Sequence, residues 1–278
     1  MLGCWPTSAK GLTICWPSPL TISLPDHAYF LCTMPRSGST LLCDLLTQTG
    51  IAGRPNSFFR PQSMGDFAND WGIPPQTIDG FDQSYIDTVR NRGAAETGCF
   101  GMRIMWANMP LLTARLSQLF RSTADDHALL QAAFGPLKFI HLARADKVAE
   151  AVSLDIAEQS GLWHRNADGT ERERTAEAAE PIYDTARIQA AYDEVTDGQR
   201  AWNAWFTQQS ITPLRVSYEA LAAQPAPQLR RILSFVGVEP DKANNATAQT
   251  AVLSSKRNRL WAARFRKDAG LALPAPAP

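Results

Sequence analysis

The stretch AYFLCT-MPRSGST-LLCDLLTQT, residues 28–49, joins an apolar run, a turn of small residues and an amphipathic run. The apolar run predicts a buried strand over Ala28–Thr33, and the amphipathic run predicts a helix over Ser39–Thr49. A strand, a small-residue turn and a helix N-terminus are typical of phosphate sites, because backbone N–H groups and the helix dipole converge on the anion. The stretch therefore predicts an α/β fold with an anion-binding loop after its first strand.

Further apolar runs of similar length follow along the chain, and amphipathic segments lie between them. The other predicted strands are Cys99–Met105, Leu137–Leu142 and Pro213–Tyr218. The other predicted helices are Met109–Phe120, Lys147–Gln159, Pro225–Val236 and a long one over about Ile182–Gln209. Strands that are apolar on both faces and alternate with helices indicate a parallel sheet covered on both sides. Two segments without a clear period, Arg54–Gly98 and Gly161–Pro181, are expected to be irregular lids or binding loops.

The domain boundaries follow from composition. We expect a loose N-terminal extension over residues 1–26, one domain over residues 27–270 and a C-terminal tail over residues 271–278. The extension holds four prolines and one basic residue, without the apolar core of a signal peptide. No apolar run approaches the ~18 residues of a transmembrane helix. Five scattered cysteines without a CxxC pair predict reduced thiols and no structural zinc, so the expected location is cytoplasmic.

The charge balance limits the partners of the protein. With 27 Lys+Arg against 27 Asp+Glu, the chain lacks the basic excess of a general nucleic-acid binder, so no nucleic-acid partner is expected. The basic residues are 21 Arg and only 6 Lys. Arginine binds phosphate and sulfate bidentately, so the surplus is a hint of anion chemistry, although a coding bias also explains it.

The turn at residues 36–40 carries the groups that an anion site needs. Gly38 lets the backbone approach the ligand, Arg36 supplies a cation, and Ser37, Ser39 and Thr40 add hydroxyl donors. The alternative is that Ser39 or Thr40 only caps the helix, which leaves Arg36 unexplained. No lysine stands beside Ser39 or Thr40, so the turn is not the G-x-x-x-x-G-K-[ST] loop of nucleotide kinases.

A second anion site is predicted after the third strand. Arg144 follows that strand, and Ser153 lies two turns into the next helix on the face of its start. The alternatives are an ion pair of Arg144 with Asp146 and a Ser153 hydroxyl bonded to its own helix. Because open α/β sheets bind ligands at the carboxyl edge of their strands, two anion sites there indicate a nucleotide with phosphates at both ends of its ribose.

Together with Arg144 and Ser153, three ordered blocks resemble sulfotransferases, in particular the bacterial trehalose 2-sulfotransferase-like family. The blocks are RSGSTLL (36–42), TGIAGRPNSFF (49–59) and FGMRIMWANMPLL (100–112), and the resemblance covers about residues 28–268. It implies a P-loop-like central parallel sheet flanked by helices. It also implies transfer of a sulfuryl group from 3′-phosphoadenosine 5′-phosphosulfate to a hydroxyl of a carbohydrate or glycolipid, without a metal.

The resemblance also implies roles for single residues. Arg36 and Arg103 are the expected catalytic residues, Arg36 at the leaving group and Arg103 near the transferred group. The expected nucleotide-binding residues are Arg36, Ser37, Gly38, Ser39, Thr40, Arg144, Ser153, Arg257 and Trp261. The expected acceptor-binding residues are Arg54, Ser57, Phe58 and Trp106.

The chain departs from the family where a general base is expected. The family has a Glu before the Phe-Phe pair, whereas Ser57 precedes Phe58 here, and Arg54 replaces another family acid. The base used by other sulfotransferases, a His just after the basic residue of the second strand, is also absent after Arg103. Three explanations stay open: a different acceptor with a relocated base, loss of transferase activity, or a base supplied by a flexible loop. The candidates for a loop residue are Asp66, Asp70 and His164, and the alternative for each is a solvated loop residue. Arg54 favours an acceptor with negative charge, or at least one other than trehalose.

Two alternatives to a sulfotransferase stay open at this point. One is a non-catalytic relative that binds the nucleotide but has lost the base. The other, a P-loop kinase, is disfavoured by the missing lysine. The paired Trp202 and Trp205 fit either the core or the interface of a homodimer.

Overall fold

The central sheet of the protein is parallel and four-stranded. In the computed structural model, residues 24–166, 168–246 and 256–272 of the 278-residue chain are described. The strands are β1 (His27–Thr33), β2 (Cys99–Met105), β3 (Leu137–Ala143), β4 (Leu162–Arg165), β5 (Glu171–Arg174) and β6 (Leu214–Ser217). The sheet has the spatial order β2-β1-β3-β6, whereas β4 and β5 form a separate antiparallel hairpin. The predicted parallel sheet and all four of its predicted strands are therefore confirmed.

Helices cover both faces of this sheet. They are α1 (Ser39–Gln48), α2 (Pro61–Asp70), α3 (Gln83–Ala94), α4 (Met109–Phe120), α5 (Asp126–Phe134), α6 (Lys147–Ser160), α7 (Thr185–Gln208), α8 (Tyr218–Ala223), α9 (Pro225–Val236) and α10 (Lys256–Ala269). The five predicted helices correspond to α1, α4, α6, α7 and α9, with ends that differ by up to three residues. Within the described ranges, no helix combines the length and the apolar character needed to cross a membrane.

The core lies on both faces of β1, as a buried parallel strand requires. Phe30 and Cys32 belong to an aromatic-rich cluster on one face, whereas Tyr29 and Leu31 belong to an aliphatic cluster on the other. All four side chains are buried. Because successive side chains of a strand point to opposite faces, this one strand anchors both layers of helices.

The two tryptophans of α7 belong to the core of a single chain. Trp202 is fully buried, and its Nε1 donates to the backbone oxygen of Thr33 over 3.0 Å. Trp205 is also buried and donates to Asp126 Oδ2 over 2.8 Å. Of the two interpretations of this pair, the core is confirmed. A homodimer stays a prediction.

Both segments that were expected to be irregular contain regular structure. The segment 54–98 contains α2 and α3, and α3 begins after Asp82, whose carboxylate accepts from the Tyr85 N–H over 3.0 Å. The segment 161–181 contains the β4–β5 hairpin. Its strands, LWHR and ERER, have no apolar alternation, and polar contacts with Arg36, Asp44 and Arg60 hold the hairpin in addition to the packing of Trp163. The helix α5 was not predicted.

Most of the predicted N-terminal extension, residues 1–23, lies outside the described residues, as does most of the tail, residues 273–278. Cys4 and Cys15 therefore lie outside them as well. The other three cysteines, Cys32, Cys43 and Cys99, are buried free thiols.

Candidate active site

The carboxyl edge of the sheet opens into a cavity of about 630 Å³. Its walls come from the loop after β1, the ends of β2 and β3, the hairpin β4–β5 and one face of α10. This volume falls within the range of pockets that enclose a small molecule, ~300–1,000 Å³. A neighbouring cavity of about 420 Å³ shares Thr40, Arg103, His164 and Glu173 with it.

The loop after β1 has the backbone of an anion site. Both Arg36 (φ 63°) and Gly38 (φ 89°) adopt the left-handed conformation. A Cβ at Gly38 would lie 2.2 Å from Cδ2 of Tyr218, so glycine is required there for space as well as for φ. Gly38 is the N-cap of α1, and no side chain caps this helix. The alternative that Ser39 or Thr40 serves only as a cap is therefore wrong.

Of the hydroxyls in this loop, those of Ser39 and Thr40 belong to residues that line the cavity. Ser37 is fully buried behind the loop, where its hydroxyl contacts the Thr33 hydroxyl. Thr33 in turn donates to the Leu142 carbonyl over 3.0 Å, which ties β1 to β3. The side chain of Ser37 thus anchors the loop to the sheet.

Arg36 links the loop to α6 and to the hairpin. Its Nε donates to Ser153 Oγ over 3.1 Å, and its Nη1 donates to the backbone oxygen of Trp163. Burial and the neighbouring Arg144 lower the pKa of Arg36 to about 10, so it remains a cation at neutral pH. Both halves of the predicted nucleotide site, the loop and the Arg144–Ser153 pair, therefore meet in one cavity.

Arg144 is held without an acidic partner in the described part of the chain. Its guanidinium lies 5.1 Å from the ring centroid of Tyr218, and its buried Nε has no hydrogen-bond partner among the described residues. Asp146 pairs with Arg266 instead, at 2.5 Å. The alternative of an Arg144–Asp146 pair is therefore wrong, and Arg144 retains hydrogen-bonding capacity for an anion.

Arg103 crosses the floor of the site from β2. Its Nε donates to Ser57 Oγ over 2.8 Å and its Nη1 donates to Thr40 Oγ1 over 2.9 Å. Ser57 also lines the cavity and is buried. Arg103 thus lies inside the site rather than in bulk solvent, and it connects the family's base position with the loop.

The remaining predicted acceptor residues are spread more widely. Arg54 lines the neighbouring cavity. Phe58 is buried in the core, with its ring 5.7 Å from Phe67 and 6.0 Å from Trp71. Trp106 packs edge-on against Trp202 at 5.1 Å. Phe58 and Trp106 therefore support the wall from behind, and their contact with an acceptor stays a prediction.

The helix α10 presents a different face from the one expected. Residues that line the cavity are Asn258, Arg259, Ala262 and Arg266, which share a face because they are spaced by about four positions. Arg257 pairs with Glu180, and Trp261 packs edge-on against Tyr183 at 5.5 Å. Neither Arg257 nor Trp261 lines the cavity, and their contact with a nucleotide stays a prediction.

The hairpin β4–β5 supplies groups that the sequence did not single out together. His164 Nε2 lies 3.1 Å from Thr40 Oγ1 and 3.5 Å from Glu173 Oε2. The other Glu173 oxygen accepts from Arg60 Nη1 over 2.7 Å. Of the three proposed bases, His164 lies in the cavity, whereas Asp66 and Asp70 are exposed on α2 and line neither cavity. No sequence motif indicates Arg60 or Glu173.

Burial and positive charge control the protonation of His164. Desolvation and the cations of Arg36, Arg103, Arg172 and Arg60 lower its pKa to about 3. The imidazole is therefore neutral at neutral pH. The described residues contain no group of three or more His, Cys, Asp or Glu side chains that could hold a metal ion.

Residues 28–268 match the family described as Stf0 sulphotransferase. The chain belongs to this family. Two similar proteins are named trehalose 2-sulfotransferase, from Mycobacterium tuberculosis (strain ATCC 35801 / TMC 107 / Erdman) and Mycolicibacterium smegmatis (strain ATCC 700084 / mc(2)155). The first is 29% identical over an alignment of 262 residues, which covers 87% of this chain and 95% of the relative. The second is 29% identical over an alignment of 272 residues, which covers 88% of this chain and 97% of the relative.

A similar solved structure is the sulfotransferase domain of the Synechococcus PCC 7002 olefin synthase. It has 18% sequence identity and a TM-score of 0.42, and the alignment covers 94% of this chain and 93% of the Synechococcus domain. The predicted α/β fold class is confirmed by the parallel sheet itself. The predicted sulfotransferase family is confirmed by the Stf0 match, and the chain is a sulfotransferase.

Proposed function

We propose that this sulfotransferase transfers a sulfuryl group from 3′-phosphoadenosine 5′-phosphosulfate to a hydroxyl of a carbohydrate. The observation that carries the proposal is the meeting of two separate anion sites in one cavity. The loop 36–40 provides the first, and Arg144 with Ser153 provides the second. A nucleotide with phosphates on both sides of its ribose matches this pair better than a nucleoside triphosphate, whose phosphates form a single chain.

The residues present fit the donor at its 5′ end. The first turn of α1 has no side-chain cap, so its N–H groups suit phosphate oxygens. Arg36 and Arg103 are cations that both line this cavity, and Arg103 also contacts Thr40 directly. The donor supplies an activated sulfuryl group, and these cations stabilise the negative charge that grows on the leaving phosphate and on the sulfuryl oxygens.

The fit at the 3′ end rests on Arg144. Its guanidinium lies over the Tyr218 ring, and its buried Nε has no hydrogen-bond partner among the described residues. The guanidinium therefore has a donor available for a phosphate. Ser153 already accepts a hydrogen bond from Arg36 and retains its own hydroxyl proton for the same anion. Arg259 and Arg266 of α10 also line this cavity.

The acceptor side is supported by the two relatives, whose names give trehalose as their substrate. The neighbouring cavity joins the site at Thr40 and Arg103 and is polar, with Asn56, Asp44 and Arg172 in its wall. Such groups suit the hydroxyls of a carbohydrate or of the sugar part of a glycolipid. Arg54 in the same wall supports an acceptor with a negative charge, a preference tested by comparing trehalose with a uronic-acid disaccharide.

The test of the proposed function begins with ligand-induced stabilisation. Adenosine 3′,5′-bisphosphate at saturation should raise the melting temperature, because a ligand that binds only the folded state stabilises it by mass action. ATP with Mg²⁺ should raise it far less. Stabilisation by ATP alone would support the kinase alternative and overturn the proposal.

The second step separates an enzyme from a non-catalytic nucleotide-binding relative. The purified protein is incubated with donor labelled in its sulfuryl group and with trehalose, glucose or a uronic-acid disaccharide. Labelled sugar supports the proposal. Binding of the bisphosphate without transfer to any of these sugars would support the non-catalytic alternative.

A further inference from the structure

The hairpin β4–β5 closes one side of the cavity and is fastened to it from several elements. Arg36 donates to the Trp163 carbonyl, and Arg172 pairs with Asp44 of α1 at 2.5 Å. Arg60, at the start of α2, holds Glu173 and lies 6.0 Å from the Trp163 ring centroid. The hairpin is therefore a fixed wall of the site, and its inward side chains have defined positions.

Two of these inward side chains form a cross-strand pair. His164 of β4 and Glu173 of β5 are register partners, and both line the main cavity and the neighbouring one. Residues directly opposite in an antiparallel pair lie on the same face. Glu173 is thus the acidic residue common to both cavities, at the place where donor and acceptor meet in the proposed function.

We propose that Glu173 is the general base of the transfer reaction. This inference rests on the proposed function. The family resemblance implies a base before the Phe-Phe pair, where this chain has Ser57. Ser57 accepts a hydrogen bond from Arg103, Arg103 donates another to Thr40, and Thr40 contacts His164, which contacts Glu173. The Glu173 carboxylate therefore lines the same cavity as Ser57 and is linked to it through this chain of contacts.

The two oxygens of Glu173 have separate environments. Oε1 accepts from Arg60 over 2.7 Å, which fixes the carboxylate in place. Oε2 lies 3.5 Å from His164 Nε2, beyond a strong hydrogen bond, and has lone pairs left for a substrate hydroxyl. A general base requires this combination of a fixed position and an accepting atom that faces the reacting group.

His164 is a weak base in this position. Its pKa is lowered to about 3 by burial and by the surrounding arginines, so its neutral imidazole has little affinity for a proton. Its contacts with Thr40 and Glu173 instead make it a positioning residue between the loop and the carboxylate. His164 is one of the three candidates from the sequence, and this proposal assigns the role of base to Glu173 instead.

The proposed step balances in atoms and charge. The acceptor oxygen forms a bond to sulfur while its proton moves to Oε2 of Glu173. The bond between sulfur and the bridging phosphate oxygen breaks, and adenosine 3′,5′-bisphosphate leaves with that electron pair, whose charge Arg36 offsets. The proton on Glu173 then passes to solvent, because 31% of this side chain is exposed.

The charged and titratable groups around Glu173 come from every side of the site. Arg60 and His164 contact it, while Arg36 and Arg172 lie close enough to interact electrostatically. The Glu173 side chain thus lies beside cations from the loop after β1, from the start of α2 and from its own strand.

The experiment compares Glu173→Gln with Glu171→Gln in the full-length protein. Glu171 lies on the same strand, pairs with Arg174 at 2.5 Å and lines neither cavity. Steady-state transfer of labelled sulfuryl is measured with the best acceptor of trehalose, glucose and the uronic-acid disaccharide. We expect E173Q to lower kcat by ~10²–10⁴-fold, the usual contribution of a general base, and E171Q to leave kcat unchanged.

Two further readouts separate chemistry from structure. Stabilisation by adenosine 3′,5′-bisphosphate should be the same in E173Q and wild type, and E173D should recover part of the activity. Wild-type kcat in E173Q, or equal losses in E173Q and E171Q, would overturn the assignment. Absence of transfer by the wild type would instead overturn the proposed function, and this inference with it.

Discussion

Arg36 Nε donates a 3.1 Å hydrogen bond to Ser153 Oγ, although the two residues are 117 positions apart in the chain. The loop after β1 and the helix after β3 are therefore joined directly. Arg144 also acts on Arg36, because its charge helps to lower the Arg36 pKa. Two cations held so close repel each other, and an anion bound between them relieves the repulsion. The two anion sites thus form one electrostatic unit.

Replacement of Arg144 by Ala should weaken the binding of adenosine 3′,5′-bisphosphate. A hydrogen bond to a charged group contributes ~1.5–3 kcal/mol, so the dissociation constant should rise by ~10–100-fold. Isothermal titration calorimetry measures this change. Arg200→Ala is the control, because Arg200 is exposed and pairs with Asp197 away from the cavity. Equal affinities in the two variants would remove Arg144 from the nucleotide site.

Replacement of Gly38 by Ala should disrupt both the loop and ligand binding. The new Cβ would lie 2.2 Å from the Tyr218 ring, in addition to the strain of φ 89°. Gly50→Ala measures the backbone strain alone, because Gly50 has φ 70° and nothing lies within 4 Å of its added Cβ. Each variant should lose about 1 kcal/mol through backbone strain, and Gly38→Ala should lose more. Urea unfolding measures the free energy of unfolding of both variants. Equal decreases in the two would contradict a clash between the added Cβ at position 38 and Tyr218.

The sequence was sufficient to predict the sheet and to place the loop 36–40 and Arg144 at one edge of it, because both depend on local patterns. Three of the four sheet strands are short, mainly apolar runs, and Arg36 and Arg144 lie within three residues of the ends of β1 and β3. Parallel strands end at one edge of a sheet, so adjacency to a strand end already places a residue in the site. This is why two separate motifs could be assigned to one ligand.

The hairpin and its carboxylate were not predictable in the same way. Arg60 and Glu173 are 113 positions apart, and both belong to segments without an apolar period. The charged run ERER resembles any solvated loop, because its structure depends on partners in α1 and α2 rather than on its own pattern. Likewise, which face of α10 borders the cavity depends on its packing against α6. The family resemblance indicates Arg257 and Trp261, whereas Arg259 and Arg266 line the cavity.

Replacement of Arg103 by Lys should lower kcat while nucleotide binding stays nearly unchanged. Arg103 reaches Ser57 and Thr40 with separate nitrogens, and a lysine ammonium cannot make both contacts in the same planar geometry. Loss of one preorganised donor to a developing charge typically lowers kcat by ~10²–10³-fold. Steady-state transfer and calorimetry with adenosine 3′,5′-bisphosphate measure the two properties. A variant that loses affinity and retains kcat would place Arg103 in donor binding alone.

Replacement of Glu150 by Gln should change how stability depends on pH. Glu150 is fully buried in α6, and desolvation raises its pKa from 4.5 to about 7, although Lys147 and Arg144 oppose the shift and Glu219 adds to it. Between these two pH values the folded state keeps a proton that the unfolded state releases. Stability of the wild type relative to E150Q should therefore fall as pH rises through this window, by roughly 3 kcal/mol in total. Urea unfolding of both proteins across the window tests this, and a constant difference would show that Glu150 keeps its ordinary pKa in the fold.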